Sequence, residues 1–380
     1  MGFAPWVEPL FRKIRSYLPE TAYVLSIYAA VRIVLLVSDL FAAHVSFGGN
    51  LVRPLTSWDA NWYLQVAQNF YPAHAPTVHG QLTYSAAGFE PLFPALIRSL
   101  MEIGLTPVQS AITVSVIGGA AATVLVWRLA TALFDEEVGK VAATLFAVFP
   151  GMGVVWGLVY SECVALALVA GSLLLLIRER WVWAGVLGAL ATATSPMALP
   201  LALAALASAG QSLARKQAPK ALITAALVPV GFLGYAGFLA VRYHDLLFWW
   251  HLQHQAWGAT IDFGRGLMRQ LASPLSGGYV GKGWMEWAGV VLVAAAIAVL
   301  IRSRTALPIA SYCIGVFAFA FVSNQLGFKP RFLAWAFPAL ISTAALTRRR
   351  GWQPIAMVFV GLLVLVFLAY TMNGNYMVQP

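Results

Sequence analysis

TAYVLSIYAAVRIVLLVSDLFAAHV, residues 21–45, is an apolar run long enough to cross a hydrocarbon layer of about 30 Å as a helix. It is too long for the apolar core of a cleaved signal peptide and reads as a signal anchor. Similar runs recur to the far end of the chain. The spans read from them are 21–44, 108–133, 139–157, 160–177, 181–194, 196–209, 220–242, 286–301, 306–323, 331–346 and 354–372. Hydrophobic residues make up 60% of the chain and charged residues 10%, against about 45–50% and about 25% in soluble domains. The runs lack the strict alternation of a β-barrel. The fold class is therefore an all-α polytopic membrane protein, with about 11 transmembrane helices in one bundle over residues 1–380.

A net charge of +10 would suit nucleic acid if the charges formed one surface, but they do not. Basic residues fall in short loops: Arg12, Lys13 and Arg15; Arg178 and Arg180; Arg215, Lys216 and Lys220; Arg302 and Arg304; Arg348, Arg349 and Arg350. That is the positive-inside pattern of a membrane protein, and it places the N-terminus in the cytoplasm. Two long segments, 45–107 and 243–285, then lie outside. Both are rich in aromatic residues, which favour the headgroup layer, and both read as partly helical caps. Within the first, Trp62, Val66, Ala67 and Phe70 form one stripe of an interfacial helix. The stretch 181–209 is either a tight helical pair turning at Pro196 or a shallow re-entrant hairpin. Each keeps its flanking basic clusters on one side. Cys163 and Cys313 lie inside apolar runs and read as packing residues.

Acids are scarce, five Asp and nine Glu, so those assigned to the outer side are informative. Asp59 sits in Trp58-Asp59-Ala60-Asn61-Trp62-Tyr63. A carboxylate there can take a proton from an attacking hydroxyl, with Trp58, Trp62 and Tyr63 stacking on a sugar. The same position suits the N-cap of a helix beginning at Ala60. Glu90, between Phe89 and Pro91, is a second site acid or a group beside a turn. Glu162, after Tyr160-Ser161, is a site acid or a favourable charge at a helix N-terminus. Lys329 and Arg331 are among the few outward cations, and Arg331 opens a helix where a cation is disfavoured. A bound phosphate would offset that cost; headgroup snorkelling is the alternative. Gln255 and Trp257 suit phosphate and sugar contacts, and Arg265 adds outer positive charge. His251 and His254 are three apart, but no third ligand is placed by the sequence, so no metal is expected.

Taken in order, five motifs resemble the PIG-V (GPI mannosyltransferase 2-like) family of GT-C glycosyltransferases. They are Trp58-Asp59-Ala60-Asn61-Trp62-Tyr63, Phe89-Glu90-Pro91-Leu92-Phe93-Pro94, Tyr160-Ser161-Glu162, Gln255-Ala256-Trp257-Gly258, and Pro330-Arg331-Phe332 with Phe337-Pro338. The resemblance implies a bacterial plasma-membrane enzyme with its active site on the extracytoplasmic face. It implies inverting transfer of mannose from a polyprenyl-phosphate donor to a glycan, glycolipid or glycoprotein acceptor, without a cofactor. Asp59 takes the position of the catalytic acid in the first outer loop. Lys329, Arg331, Gln255 and Arg265 would hold the donor phosphate. Trp58, Trp62, Tyr63, Glu90, Glu162 and Trp257 would hold the acceptor or sugar. A polytopic lipid or sugar transporter is the rival from another class, and paired broken helices in two halves would be its mark.

Overall fold

The computed structural model describes residues 8–272, 280–347 and 351–373. The basic cluster Arg348–Arg350 and residues 273–279 of the second cap lie outside the described residues. The chain opens with α1 (Glu8–Phe47), then the short α2 (Val52–Leu55) and α3 (Ala60–Asn69). A small antiparallel hairpin follows, β1 (Thr77–Val78) and β2 (Gln81–Leu82), with Thr77 opposite Leu82. Next come α4 (Leu92–Glu102), α5 (Pro107–Leu133), α6 (Glu136–Ala147), α7 (Met152–Gly157), α8 (Glu162–Ile177) and α9 (Trp181–Thr192). After a 3-10 turn over Pro196–Ala198 follow α10 (Leu201–Ala214), α11 (Leu222–Leu227), α12 (Val230–Tyr243), α13 (Phe248–Trp257) and α14 (Arg265–Ala272). The last are α15 (Val280–Arg302), α16 (Leu307–Val322), α17 (Pro330–Leu333), α18 (Pro338–Thr347) and α19 (Trp352–Asn373).

Local sequence sets the ends of these helices. Thr106 and Gln109 form a reciprocal capping box at the start of α5, with Pro107 at its first position. The Asp135 side chain accepts from the Val138 amide and caps α6. Small residues set how closely helices approach. Gly118 of α5 lies against the Cys163 and Val164 backbone of α8, and Gly231 of α12 against the Ala189 carbonyl of α9. The main apolar core joins α1, α5, α6, α8, α10, α16 and α18. Two smaller cores pack the cap segments: one around Tyr63, Phe89, Phe93 and Tyr160, the other around Tyr71, Tyr235, Phe248 and Leu252.

Four helical stretches are long and apolar enough to cross a membrane: Pro19–Phe47, Pro107–Leu133, Pro196–Ala214 and Leu222–Tyr243. Shorter apolar helices of 10–17 residues include Glu162–Ile177, Trp181–Thr192, Leu307–Val322 and Pro338–Thr347. Two of the expected spans are divided, each at a proline. The span expected at 139–157 divides into α6 and α7 at Pro150-Gly151. There the Gly151 Cα lies against the Pro330 carbonyl, so a side chain has no room. The span expected at 331–346 divides into α17, a 3-10 turn and α18, which begins at Pro338. Between 181 and 209 the structure has two helices meeting at Ser195-Pro196, where the Ser195 hydroxyl accepts from the Met197 amide. The α3 stripe also differs from expectation. Its buried residues are Ala60, Tyr63, Leu64, Val66 and Ala67. Phe70 lies past the helix end at φ 61° and is exposed. Tyr63, rather than Trp62, centres the buried face.

Candidate functional site

Three segments distant in sequence meet at one point. Arg331 Nη1 donates to Asp59 Oδ2 at 3.0 Å, and Arg331 Nε donates to Glu162 Oε1 at 2.5 Å. Asp59 occupies the N-cap position of α3, yet its side chain makes no cap hydrogen bond. The residue is held from behind: its amide donates to the Tyr160 hydroxyl at 3.3 Å. The Tyr160 ring also stacks under the Arg331 guanidinium at 4.4 Å, a cation–π contact. The Tyr63 hydroxyl pairs with Ser161 at 2.8 Å, and the Val159 amide donates to the Leu55 carbonyl at 3.0 Å. These bonds tie the segment before α3 to the segment before α8.

The two acids differ in access. The Glu162 side chain is 4% exposed and that of Asp59 31%. Glu162 is thus the buried counter-charge and Asp59 the more accessible carboxylate. Trp58, just before it, holds φ at 60°. A bulky residue in the left-handed region stores about 1–3 kcal/mol of strain, here directly before Asp59.

This cluster forms one end of a cavity of about 860 Å³, within the usual range for ligand sites of about 300–1,000 Å³. Asp59, Tyr63, Ser161, Glu162 and Arg331 line the cavity together, and Glu90 lines it too. Ser195, Gln253, Thr260, Ser323 and Gln325 add polar groups along the rim. The long wall is apolar, made by Phe232, Leu233, Ala236 and Ala240 of α12, Leu246, Leu247, Trp250, and Phe319 and Val322 of α16.

Glu90 stands beside this cluster in a different state. The backbone before it is pinned by three side chains. Tyr235 donates to Ala87 O at 2.8 Å, Gln253 to Gly88 O at 3.2 Å, and Tyr71 to Phe89 O at 2.9 Å. Glu90 is 5% exposed, and its Oε1 has no hydrogen-bond partner. Burial pushes its carboxyl up to about 8, and the Glu162 charge adds to that; the nearby Trp249 indole acts the other way.

The site residues read from the sequence divide into two sets. Asp59, Tyr63, Glu90, Glu162, Trp257 and Arg331 line the one cavity. Trp58 and Trp62 do not; Trp62 stacks on Phe89 from behind, with ring centres 6.1 Å apart. Lys329 is buried at the foot of α17 with its amine over the Phe332 ring, off the cavity wall. The Gln255 side-chain oxygen accepts from the Leu82 amide and fastens the hairpin to α13. Arg265 is exposed at the start of α14. Of the four residues expected to hold the donor phosphate, Arg331 lines the cavity and Lys329, Gln255 and Arg265 do not. His251 pairs with Asp245 at 2.7 Å and His254 with the Ala259 carbonyl at 3.2 Å. Among the described residues no group of three His, Cys, Asp or Glu side chains is arranged to hold a metal. Sequence reasoning gave no role to Tyr160, Trp249, Gln253 or Gln325. Tyr160 and Gln253 lie in or beside quoted motifs, so proximity to a motif was their one available signal; Gln325 had none.

A family model described as glycosyltransferase family 87 matches residues 90–323. The match includes Glu90 and Glu162 but neither Asp59 nor Arg331. No curated protein matches the sequence. Among solved structures, ArnT from Cupriavidus metallidurans bound to undecaprenyl phosphate is similar, with a TM-score of 0.56 and 14% identity over 93% of this chain and 76% of that one. The Archaeoglobus fulgidus oligosaccharyltransferase in its apo form gives 0.54 and 14% identity over 95% of this chain and 56% of that one. The same enzyme tethered to an acceptor peptide gives 0.52 and 14% identity over 93% and 55%. The chain thus spans a little over half the length of the oligosaccharyltransferase. At such identities the likeness is one of fold: an all-α, GT-C-like bundle.

Proposed function

Because the chain belongs to glycosyltransferase family 87, we propose that its cavity carries out inverting sugar transfer from a polyprenyl-phosphate donor to an acceptor hydroxyl. One observation carries this reading. A partly exposed carboxylate and a guanidinium meet, 3.0 Å apart, at the polar end of a cavity whose long wall is apolar. The wall suits a prenyl chain and the polar end suits a phosphate-linked sugar. The structure of ArnT with undecaprenyl phosphate and that of the oligosaccharyltransferase with an acceptor peptide support the same classes of substrate here.

The acceptor oxygen attacks the anomeric carbon from the face opposite the phosphate. Its proton passes to Asp59 as the new C–O bond forms. The bond from the anomeric carbon to the phosphate oxygen breaks, and its electron pair leaves with the lipid phosphate. Arg331 is the cation nearest that developing charge and stabilises it. Lys329, buried two residues earlier, adds positive potential from behind. Glu162 and Tyr160 hold the guanidinium in place, so that Asp59 keeps one orientation.

The motifs' likeness to the PIG-V family adds a finer reading, that the sugar is mannose and the site faces away from the cytoplasm. What the two families share is the GT-C glycosyltransferase class. The test is the purified full chain in detergent with labelled undecaprenyl-phosphate mannose and a mannose-terminated acceptor. Labelled acceptor and free undecaprenyl phosphate should appear together. Neither would form if the protein were a transporter, which needs a sealed bilayer to do anything measurable.

A further inference from the structure

Among the described residues three buried polar atoms on the lining of this cavity have no hydrogen-bond partner: Oε2 of Glu162, whose other oxygen takes Arg331, and Oε1 of Glu90 and Nε1 of Trp249, two groups near enough for the indole to act on the carboxyl. A buried polar group left unpaired costs about 1–3 kcal/mol, and folded proteins keep few of them. Here they gather on residues that line one cavity, and those on Glu90 and Trp249 belong to residues without an ion pair among the described residues, on segments that are firmly held. Gly88, two residues before Glu90, lies so close to the Trp257 ring that a Cβ there would sit 2.7 Å from it. Trp249 packs edge-on against Phe232 at 4.9 Å. The surrounding surface is aromatic, with Phe89, Trp250 and Trp257 also lining the cavity.

The pair selects a class of ligand. An indole N–H repels a cation, and the ion-paired Glu162 carboxylate nearby disfavours an anion. A hydroxyl satisfies both atoms at once, since it donates to a carboxyl oxygen and accepts from an N–H. Aromatic faces then cover the C–H face of a pyranose ring. We propose that Glu90 and Trp249 form a hydroxyl-reading subsite for a pyranose, separate from the Asp59–Arg331 pair and responsible for sugar selection. It rests on the reading of this cavity as a sugar-transfer site and adds to it the group that recognises the sugar. The donor's sugar and an acceptor sugar share this chemistry.

Saturation-transfer NMR on the full chain in detergent, with methyl hexopyranosides of manno, gluco and galacto configuration, tests binding without any turnover. The wild type should bind one configuration best and lose it when a single hydroxyl is replaced by hydrogen. Glu90→Leu should weaken that binding at least tenfold, Trp249→Phe severalfold, and Glu90→Gln less than threefold. Equal binding by wild type and Glu90→Leu would overturn the proposal, as would no sugar binding by the wild type. Thermal melting identifies a variant that has not folded, in which case Trp249→Phe, which removes one N–H, decides. In the transfer assay, a raised KM for lipid donor alone in Glu90→Leu assigns the subsite to the donor's sugar. A raised KM for acceptor alone assigns it to the acceptor. An unchanged KM for both overturns the role in selection. Sugar binding without transfer would leave the subsite standing and end the reading of the cavity as an enzyme site.

Discussion

The Asp59 corner and the Glu90 corner of the cavity treat the same functional group in opposite ways. Asp59 and Glu162 share one guanidinium, so their charge is matched by a partner. Glu90 is buried with no ion pair among the described residues, and its carboxyl is pushed up to about 8. One corner therefore presents a charged carboxylate with a fixed counter-charge, suited to moving a proton. The other presents a carboxyl that holds its own proton at neutral pH, suited to reading a hydroxyl. The difference arises from neighbours and not from residue type.

The strongest way to break this contrast is to remove the shared cation. Arg331→Met strands two carboxylates and should cost about 3–5 kcal/mol of stability and on the order of a thousandfold in transfer. Arg331→Lys should not restore activity, because an ammonium cannot span both acids as the planar fork does. Wild-type turnover in either variant would show that the ion cluster is only structural. Next is Asp59→Asn, which keeps shape and loses the proton acceptor. Turnover should fall at least about a hundredfold with unchanged expression and melting. Turnover near that of the wild type would remove Asp59 from the chemistry.

A smaller effect comes from Gly151→Ala. The new methyl meets the Pro330 carbonyl, so α17 must shift and carry Arg331 with it. A loss of about tenfold to a hundredfold in turnover is expected. Gly210→Ala, in open space on α10, is the control and should stabilise by about 0.5–1 kcal/mol without changing transfer. Equal activity in the two would separate the α6–α7 break from the site.

The Glu90 corner is sharpened by pH. Between its ordinary 4.5 and its value of about 8, the folded state holds a proton that the unfolded state has released. Stability of the wild type therefore falls as pH rises through that window, and the penalty is complete above it. Glu90→Gln carries no such penalty. Its melting temperature relative to the wild type should rise from pH 4.5 to about 8 and then level off. A pH-independent difference would mean that Glu90 titrates normally and that the two corners are alike.

Part of this site was legible before any fold was known. Asp59, Glu90, Glu162 and Arg331 stand out in the sequence as charged groups assigned to the outer side of an acid-poor chain, and all four line one cavity. The direction of a side chain was not legible where it depended on a distant segment. Gln255 looked like a phosphate ligand, but the Leu82 amide, 173 residues earlier in the chain, takes its oxygen. Arg265 and Lys329 had suitable charge and position in sequence, yet α14 leaves the first exposed and the burial at the foot of α17 keeps the second off the cavity wall. The division of the span at 139–157 has a local sign in Pro150, but the close approach of Gly151 to Pro330, which leaves no room for a side chain, involves another helix.

Membrane class follows from the amino acids alone, because hydropathy is summed over neighbouring residues and needs no knowledge of what packs where. Helix ends at Thr106, Asp135 and Ser195 follow too, since a cap is made within a few residues. The ion cluster belongs to the folded chain only. Arg331 reaches Glu162 across 169 residues and Asp59 across 272. Such pairings depend on how closely α17 can approach the α6–α7 break and the segments before α3 and α8. That approach is set by the packing of the whole bundle, which no local window of sequence contains.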